Sequence, residues 1–333
     1  MEKEPFLQYN EVLVTGGTGF VGRHVCRALI ERGFLPRLMV RVGSEERIPE
    51  DIRDRCRVTL GDVTIPEDVE NAAQGTDAVV HLVGIIRELP GKGVTFERLH
   101  VKATRNVVEA ARRWGIDRLV HMSALGARAG GPTKYFDTKG RAEEIVRGSG
   151  LAWTVFRPSV LFGSGDAFVN ELARVIRLAP FIPVPGDGSY RLQPVYAGDV
   201  AKGIAEAVLR PDLAGRAFDV GGPEWFSYDG LLDAVAASAG RSARKLHVPL
   251  SLMEGLVRFL QRFEKFPLTE DQLVMLLGEN VCDHEPFYAA FGFTPTSLSG
   301  YLAAGHAGRR PGLTGTGEGG KGSSPELPAR KAA

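Results

Sequence analysis

The chain has 333 residues, 44% hydrophobic and 24% charged, which is typical of a soluble globular protein with one large domain or two modest ones. Its formal net charge of +1 provides no global field that would attract nucleic acid or an anionic membrane. The three cysteines (Cys26, Cys56 and Cys282) are far apart and form no CxxC pair, so we expect no disulfide framework, no zinc site and a reducing, cytoplasmic compartment.

Predicted strands and helices alternate through the first half of the chain. Apolar runs predict strands at 11–17, 35–42, 56–63, 77–86, 118–126 and 151–163. Helical periodicity predicts helices at 21–33, 67–75 and 100–115. This alternation indicates βαβ units. We therefore predict an α/β fold, with a Rossmann-type doubly wound parallel sheet forming the core over residues 1–163.

The alternation loosens after residue 163. Helices are predicted at 167–180, 228–240 and 249–263, and a short strand with a capped helix at 192–210. We predict a smaller, interleaved C-terminal lobe over 164–304, in which about 192–220 returns to the core. The uncharged stretch 286–308 contains prolines and glycines and is interpreted as loop plus short helix, with peripheral membrane contact left open. Residues 305–333 are glycine-rich and are predicted to be a disordered tail.

The strongest motif is the glycine-rich stretch VTGGTGFVGRHV at 14–25. Gly16, Gly19 and Gly22 give GxxGxxG, and Gly17 with the last two also satisfies GxGxxG. The motif follows a predicted strand and opens a predicted helix, which is the context that dinucleotide binding requires. Glycines let the backbone approach a pyrophosphate, and the helix N-terminus offers free N–H groups to it. The alternative is a glycine turn that binds nothing.

The residues after the second strand bear on which dinucleotide binds. NAD specificity usually comes from an acidic residue about 20 residues beyond the motif. Arg41 stands near that position, and no acid follows until Glu45. Arg41, helped by Arg23, Ser44 or Arg47, can hold a 2′-phosphate by charge-assisted hydrogen bonds. NADP(H) is therefore favoured over NAD(H), the alternative being arginines on a solvated loop.

An ordered set of short motifs resembles a known family. The set is TGGTGFVG (15–22), GDV (61–63), HLVGI (81–85), SALGA (123–127), YFDTK (135–139), RPSVLFG (157–163) and QPVYAGDVA (193–201). It resembles the extended and atypical branch of the short-chain dehydrogenase/reductase superfamily, which is epimerase/dehydratase-like. FPLTEDQLVMLLGENVC (266–282) and FGFTPTSL (291–298) are similar to a narrower group, the nucleotide-binding accessory subunits of respiratory complex I and their bacterial relatives. The resemblance covers roughly residues 10–303.

The resemblance implies a set of dinucleotide contacts. The pyrophosphate loop would be Gly16, Gly17, Thr18, Gly19, Phe20, Val21 and Gly22. Asp62 and Val63 would meet the adenine, and Val83 and Gly84 would line the ribose side. Pro158, Ser159 and Val160 would contact the nicotinamide edge. Without a dinucleotide contact, Asp62 would be an ordinary turn residue. RPSVLFG would then be a buried strand that ends at a glycine.

Tyr135 stands four residues before Lys139, which places both on one face of a helix. The resemblance implies that Tyr135 is the general acid/base and that Lys139 holds the nicotinamide ribose and lowers the pKa of the phenol. An unperturbed tyrosine titrates near ~10, and a neighbouring ammonium favours phenolate. Ser123 is the candidate hydroxyl for steadying a substrate carbonyl, with Thr133 as a fallback. A chance YxxxK match and a strand-end cap at Ser123 are the alternatives.

The sequence departs from the family pattern beside this pair. His100 stands where many members place a relay Asn, and Asn106 is expected on a different face. We interpret His100 as a satisfied surface or helix-start histidine. Gly140 follows Lys139 inside the helix and costs about 1 kcal/mol relative to Ala. Two hypotheses follow: an NAD(P)-dependent oxidoreductase or nucleotide-sugar epimerase-like enzyme, and a non-catalytic NADPH-binding structural or assembly subunit contacting a protein complex or membrane.

Other candidate groups give weaker signals. His81 lies in a predicted buried strand and is expected in the core, and Cys282 with His284 lacks a second pair, so no metal is predicted. Arg191 either meets an anionic substrate or braces the lobe. The apolar stripe of 249–263 is interpreted as core, with a membrane or partner face as the alternative.

Overall fold

A computed structural model describes residues 11–263, 266 and 268–305. The predicted disordered tail lies, apart from Gly305, outside these residues. The strands are β1 (Glu11–Thr15), β2 (Leu35–Val40), β3 (Arg57–Leu60), β4 (Ala78–His81), β5 (Arg118–Met122), β6 (Ala152–Pro158), β7 (Leu161–Phe162), β8 (Ile182–Pro185), β9 (Arg191–Leu192), β10 (Val195–Tyr196), β11 (Arg216–Val220), β12 (Phe226–Ser227) and β13 (Lys245–Val248). The helices are α1 (Phe20–Glu31), α2 (Glu50–Arg53), α3 (Pro66–Ala73), α4 (Ala103–Arg113), α5 (Lys134–Arg147), α6 (Val169–Leu178), α7 (Ala197–Leu209), α8 (Tyr228–Ser238), α9 (Leu250–Leu260), α10 (Glu270–Leu277), α11 (Glu285–Phe291) and α12 (Leu298–Ala303).

A seven-stranded parallel sheet carries the fold, in the order β11-β6-β5-β4-β1-β2-β3. Helices α1 and α7 pack together over one face, and α3, α4 and α5 cover the other. Because both faces are covered, the central strands β1 and β4 are buried along their whole length and read as continuous apolar runs. The predicted Rossmann-type doubly wound sheet is confirmed.

The strand order reverses between β1 and β4, which is where a doubly wound sheet opens a crevice at its carboxyl edge. Several strands end earlier than predicted at this edge: β4 at His81 rather than residue 86, and β5 at Met122 rather than residue 126. The apolar residues that follow turn into loops and line the crevice instead of extending the sheet.

Elements from the second half of the chain pair and pack with elements from the first half. Strand β11 pairs with β6 as the last strand of the main sheet, and α7 packs on α1. A separate apolar cluster, including Phe162, Ile176 and Leu232, lies between α6, α8 and α12. The smaller interleaved lobe is therefore present, while its boundaries at 163 and 304 stay a prediction.

Two short helices, rather than one, occupy most of the uncharged stretch after residue 285. Helix α11 ends at Gly292, which adopts a left-handed conformation, and α12 begins after the Ser297 cap. Over the residues that the structure describes, every helix is too short or too polar to cross a bilayer.

The apolar stripe of α9 is only partly core. Met253 and Val257 are buried. Leu252, Leu256, Phe259 and Phe263, on α9 and the turn after it, are 47–64% exposed. The core interpretation of the predicted stripe is wrong for Leu250, Leu252, Leu256 and Phe263, because the rest of the lobe packs against one side of α9 only.

Gly140 has a packing role that helix propensity does not reveal. A Cβ there would lie 2.1 Å from the Arg128 carbonyl carbon and 2.3 Å from the Ala129 nitrogen. We therefore expect Gly140→Ala to lower the free energy of unfolding by about 1–3 kcal/mol, as overpacking does. Gly255 of α9 faces open space, so Gly255→Ala should raise the free energy of unfolding by up to about 1 kcal/mol. Denaturant titration measures both changes, and a stabilised Gly140→Ala protein would contradict the packing argument.

Candidate active site

The glycine loop between β1 and α1 is tight because its backbone atoms approach closely. Gly16 has φ of +80°, and a Cβ on Gly22 would lie 2.2 Å from the Gly16 carbonyl oxygen. Helix α1 begins after Gly19 without a side-chain cap and without an acidic residue in its first turn. Its first amides are therefore available to an anion.

The other loop residues divide between packing and exposure. A Cβ on Gly17 would lie 2.9 Å from Leu38 Cγ, so this glycine lets the loop pack on β2. Val21 is buried beneath the loop, whereas Thr18 is half-buried. Phe20, also half-buried, lines the large cleft described below.

Arg41 is exposed just beyond β2. Its carbonyl oxygen accepts a hydrogen bond from the Ser44 amide at 2.9 Å, which forms a turn. The Arg41 guanidinium has no hydrogen-bond or ion-pair partner among the described residues. Arg23, a proposed helper, lies instead against Gly165, where a Cβ would be 2.7 Å from one guanidinium nitrogen. Arg41 is thus accessible to a phosphate, but its role stays a prediction.

Asp62 and Val63 follow β3 and make local bonds. Asp62 Oδ1 accepts from the Thr64 amide at 2.8 Å, and the Asp62 amide donates to Asp68 Oδ2 at 2.8 Å. The Val63 carbonyl accepts from Asn106 Nδ2 at 3.0 Å, and Asn106 is not among the residues that line the large cleft. The turn interpretation accounts for these bonds, and the adenine contact stays a prediction.

Val83 and Gly84 follow β4 at the crevice. A Cβ on Gly84 would lie 3.2 Å from Lys139 Nζ, so a side chain at this position would crowd the ammonium group. Lys139 Nζ donates to the Met122 carbonyl at 2.8 Å. Burial lowers the pKa of Lys139 to about 8, and Glu143 partly offsets that effect.

Pro158, Ser159 and Val160 connect β6 to β7. The Ser159 hydroxyl donates to the Gln193 carbonyl. The Val160 amide donates to Asn280 Oδ1 at 3.1 Å. Asn280 lies 120 residues away in sequence, so a distant segment of the second half closes this corner of the crevice.

A cleft of about 570 Å³ opens at the carboxyl edge of the sheet. The predicted residues that line it are Phe20, Gly84, Ser123, Tyr135, Lys139, Pro158, Ser159 and Val160. The predicted residues that do not line it are Gly16, Gly17, Thr18, Gly19, Val21, Gly22, Arg41, Asp62, Val63 and Val83. All of the second group lie in the β1–α1 loop, in the first turn of α1 or just beyond β2, β3 or β4, along the same edge.

Tyr135 is 9% exposed and packs edge-on against the rings of Phe96 and His100. Burial raises the pKa of its phenol to about 12. Burial is the cause of this shift in the chain by itself, and the lowering of this pKa by Lys139 stays a prediction. Tyr135 is a protonated phenol at neutral pH.

Ser123 is 3% exposed at the end of β5. Its amide donates to the Phe156 carbonyl at 2.7 Å, but its hydroxyl oxygen has no hydrogen-bond partner in the described part of the chain. The strand-end cap expected as an alternative is thus not made. Thr133, the fallback, caps α5 by accepting from the Phe136 amide at 3.2 Å. An unsatisfied buried hydroxyl costs about 1–3 kcal/mol, which a ligand in the cleft would recover.

His100 is a hydrogen-bonded histidine at the start of a helix, as one of its two interpretations has it, and it is buried, so the surface interpretation is wrong. It lies in a π-helical turn, Glu97–Lys102, that precedes α4 and carries the ring inward. Nδ1 is 2.9 Å from Thr138 Oγ1, and Nε2 is 3.1 Å from the Ile85 amide nitrogen. Burial lowers the pKa of His100 to about 2, so the ring beside Tyr135 is neutral.

Two further histidines lie beneath the cleft. His81 is buried as expected, 2.6 Å from Thr15 Oγ1 and 3.1 Å from Thr104 Oγ1. The ring of His121 stacks on it at 5.3 Å, and neither His121 nitrogen has a partner among the described residues. Burial lowers the pKa of both, for His81 to about 3.

We expect the free energy of unfolding to fall as the pH drops below about 6.5. His81, His100 and His121 stay neutral in the folded chain, whereas the unfolded chain protonates them near 6.5. Each of these histidines then lowers the free energy of unfolding by up to about 1.4 kcal/mol for every pH unit below 6.5. Unfolding titrations from pH 7.5 to 5 measure the slope, which His121→Leu should reduce by up to about a third, since burial also lowers the pKa of His24 and this histidine adds to the slope. His247→Gln, on an exposed histidine, is the control, and an unchanged slope in His121→Leu would refute the assignment.

The far side of the cleft comes from residues that the sequence did not reveal as functional. They are Phe168, Leu172, Gln272, Met275, Leu276 and Asn280. A capping box between Thr269 and Gln272 begins α10, and this signal could have placed the helix. Asp271 of α10 faces the first turn of α5, where burial raises its pKa and the Tyr135 amide opposes the rise.

Arg191, for which two roles stood open, does not line the cleft. Its guanidinium pairs with both Glu279 carboxylate oxygens at 2.8–2.9 Å and lies 5.5 Å from the centre of the Trp225 ring. These contacts are those of a brace within the lobe. Within residues 11–263, 266 and 268–305, no group of three or more His, Cys, Asp or Glu side chains is arranged to hold a metal ion.

The chain is similar to several known proteins. Residues 16–176 match a family model described as NAD(P)H-binding. The mitochondrial NADH dehydrogenase (ubiquinone) 1 alpha subcomplex subunit 9 of Mus musculus is 30% identical over 302 residues, covering 86% of this chain and 76% of the mouse protein. The ceramide reductase of Caulobacter vibrioides is 30% identical over 202 residues, covering 61% of this chain and 62% of that protein.

The fold also matches solved structures. The UDP-glucose 4-epimerase of Thermotoga maritima, solved with UDP-glucose, superposes with a TM-score of 0.71 at 18% identity. The match covers 89% of this chain and 97% of the epimerase. At this identity the likeness shows the shared fold.

Proposed function

The chain belongs to the atypical branch of the short-chain dehydrogenase/reductase superfamily, a family of NAD(P)-binding proteins, and from this premise we propose that it is an NAD(P)H-dependent oxidoreductase that reduces a carbonyl group. One observation carries the proposal. Ser123, Tyr135 and Lys139 line a single cleft, and Phe20 at the start of α1 lines it too. A substrate carbonyl and the nicotinamide end of a dinucleotide can therefore meet there.

The cleft residues suit an acid role better than a base role. When bound, the reduced nicotinamide supplies the hydride to the carbonyl carbon. Tyr135, which is protonated at neutral pH, donates its phenolic proton to the carbonyl oxygen, so that a ketone becomes a secondary alcohol. The Ser123 hydroxyl donates a hydrogen bond to the same oxygen as charge develops on it. The phenolate then regains a proton from solvent.

The glycine loop and the first turn of α1 fit the dinucleotide pyrophosphate, because their amides lack side-chain partners. Lys139, held over Gly84, fits the nicotinamide ribose. We propose that Arg41 binds the 2′-phosphate of NADP(H), since its guanidinium is exposed and no described residue pairs with it.

Arg41→Ala should weaken NADPH binding by about 10- to 100-fold, the value of one charge-assisted hydrogen-bond set, and change NADH binding by less than about twofold. Only NADPH carries the 2′-phosphate. Isothermal titration with each coenzyme measures the two ratios. Arg105→Ala, on an exposed arginine of α4, is the matched control. Equal losses for the two coenzymes would overturn the NADP assignment.

A second candidate function is that of a non-catalytic, NADPH-binding structural subunit. The exposed apolar stripe of α9 and the following turn (Leu252, Leu256, Phe259 and Phe263) favours it, because such a patch marks a contact surface. The mouse relative is named as a subunit of a larger enzyme. A bound coenzyme stabilises the folded state by RT ln(1 + [L]/Kd) even without turnover. A cytoplasmic location, with this face at a partner or the membrane surface, belongs to this proposal.

Native mass spectrometry of freshly purified protein tests the shared part of both candidates. We expect a mass increment equal to NADP(H) rather than NAD(H). Coenzyme oxidation with a panel of ketones then separates the candidates, because only the oxidoreductase consumes NADPH. A chain that copurifies with no dinucleotide and takes up none when it is added would contradict both.

A further inference from the structure

The half of the cleft away from the glycine loop is apolar. Its walls come from the loops after β4 and β5 and from helices α6 and α10 with the residues beside them. The side chains on which the inference rests are Ile86, Leu125, Phe168, Leu172, Met275 and Leu276. Such a surface gains free energy by burying hydrocarbon and gains none by holding a sugar.

The charged side chains in the cleft would not bind the phosphates of a nucleoside diphosphate. Lys139 and Glu171 are the only charged side chains among the described lining residues. The Lys139 ammonium donates to the Met122 carbonyl. Glu171 pairs with Arg174 through both carboxylate oxygens at 2.6–2.8 Å, and its negative charge opposes a phosphate. A diphosphate would therefore enter the substrate half without the cationic partners that such groups require.

Most polar groups of the lining are already engaged within the protein. Gln272 Oε1 accepts from the Thr269 amide, Asn280 Oδ1 accepts from the Val160 amide, and the Ser159 hydroxyl donates to Gln193. The Ser123 hydroxyl has no partner among the described residues, and Tyr135 lines the same cleft. The polar groups at the proposed reaction centre, and the amide nitrogens of Gln272 and Asn280, therefore stand in a lining that is otherwise mostly apolar.

We propose that the substrate is a hydrocarbon-rich ketone, or the corresponding secondary alcohol, rather than a nucleotide sugar. Its carbonyl oxygen meets Ser123 and Tyr135, and its apolar body lies between α6 and α10. The inference rests on the proposed oxidoreductase function and names its substrate class. It departs from the nucleotide-sugar substrate that the extended branch of the family suggests.

A homologous series of ketones tests the substrate class. The full chain is assayed with NADPH and 2-butanone, 2-heptanone and 2-undecanone, and separately with NADP⁺ or NAD⁺ and UDP-glucose. We expect kcat/KM to rise by up to about fourfold for each buried methylene, which corresponds to about 0.8 kcal/mol. UDP-glucose should be neither oxidised nor epimerised.

Two variants on adjacent residues of α10 locate the effect. Met275 lines the cleft, whereas Val274 is exposed and does not. Met275→Lys should remove the dependence of kcat/KM on chain length, because it places an ammonium where the hydrocarbon body would lie. Val274→Lys, with the same change of charge, should leave the whole series unaltered. NADPH affinity, unchanged in both, shows that each variant is folded.

The outcomes separate this inference from the proposed function. Reduction that is fastest for 2-butanone, or turnover of UDP-glucose, would overturn the substrate class and leave the oxidoreductase intact. If no ketone is reduced, the oxidoreductase proposal fails, and titration of the NADPH-loaded protein with 2-undecanol still tests the ligand class. Binding that Met275→Lys removes would support an apolar ligand, and absence of binding would overturn it.

Discussion

Tyr135→Phe is expected to lower the kcat for carbonyl reduction by about 10²- to 10⁴-fold while NADPH affinity stays within about twofold. The variant deletes the proton donor and nothing else. The ring packs against Phe96, Phe136 and His100, and phenylalanine preserves those contacts. The lost hydroxyl has no hydrogen-bond partner among the described residues, so the free energy of unfolding should change by less than about 1 kcal/mol.

Tyr288→Phe is the matched control. Tyr288 is buried, its hydroxyl has no partner within the described residues, and it does not line the cleft. It should therefore leave both turnover and coenzyme binding unchanged. Single-turnover oxidation of bound NADPH measures the chemical step directly. A Tyr135→Phe protein that reduces ketones as fast as wild type would remove Tyr135 from the mechanism, and a large loss of NADPH affinity would make it a coenzyme contact instead.

The fold could be predicted because its signals are local. β1 and β4 are buried on both faces, so they appear as continuous apolar runs, and the glycine loop marks the turn into α1. The strand at the C-terminal edge of the sheet, β11, was harder to predict from the sequence. Strand β11 is only five residues long, contains Arg216 and Asp219, and is fixed by its pairing with β6 some 60 positions earlier. From the sequence we could predict only that a segment near 192–220 returns to the core.

The candidate site was less accessible to sequence reasoning because burial and distant contacts shape it. The π turn that carries His100 inward has no periodic signature in a single sequence. Burial among the packed rings raises the pKa of Tyr135, and the spacing of Tyr135 and Lys139 in the sequence gives no sign of that burial. Asn280 reaches Val160 across 120 residues, so no local pattern could place it in the cleft.

The two candidate functions share one structural origin, since the segment after residue 249 both closes the cleft and exposes an apolar face. Arg87 holds this segment to the sheet by donating to the carbonyls of Gln261 and Phe263 at 3.2–3.3 Å. Leu268 and Met275 then line the cleft, while Leu252 and Phe259 face outward. An apolar chamber beside an exposed apolar helix suits an enzyme whose substrate is poorly soluble in water, and it suits a subunit whose lobe contacts a partner. Turnover is the property that separates them.

Gly22→Val should abolish measurable dinucleotide binding, and Gly22→Ala should weaken it by at least about tenfold. A Cβ at this position would lie 2.2 Å from the Gly16 carbonyl oxygen and 2.6 Å from the Gly17 Cα. Both neighbours are backbone atoms, so no flexible side chain can yield, and the β1–α1 loop must shift away from the helix. That shift would turn the first amides of α1 away from the pyrophosphate.

NADPH titration and the denaturant midpoint, measured together, distinguish a displaced loop from an unfolded chain. We expect Gly22→Ala to lose about 1–3 kcal/mol of stability and still unfold cooperatively, with affinity falling for NADPH and NADH alike because both share the pyrophosphate. Gly255→Ala, at a helical glycine that faces open space, should bind both coenzymes as wild type does. If Gly22→Ala also bound them at wild-type affinity, the loop would not be the pyrophosphate site. The coenzyme would then have to be held elsewhere along the carboxyl edge of the sheet.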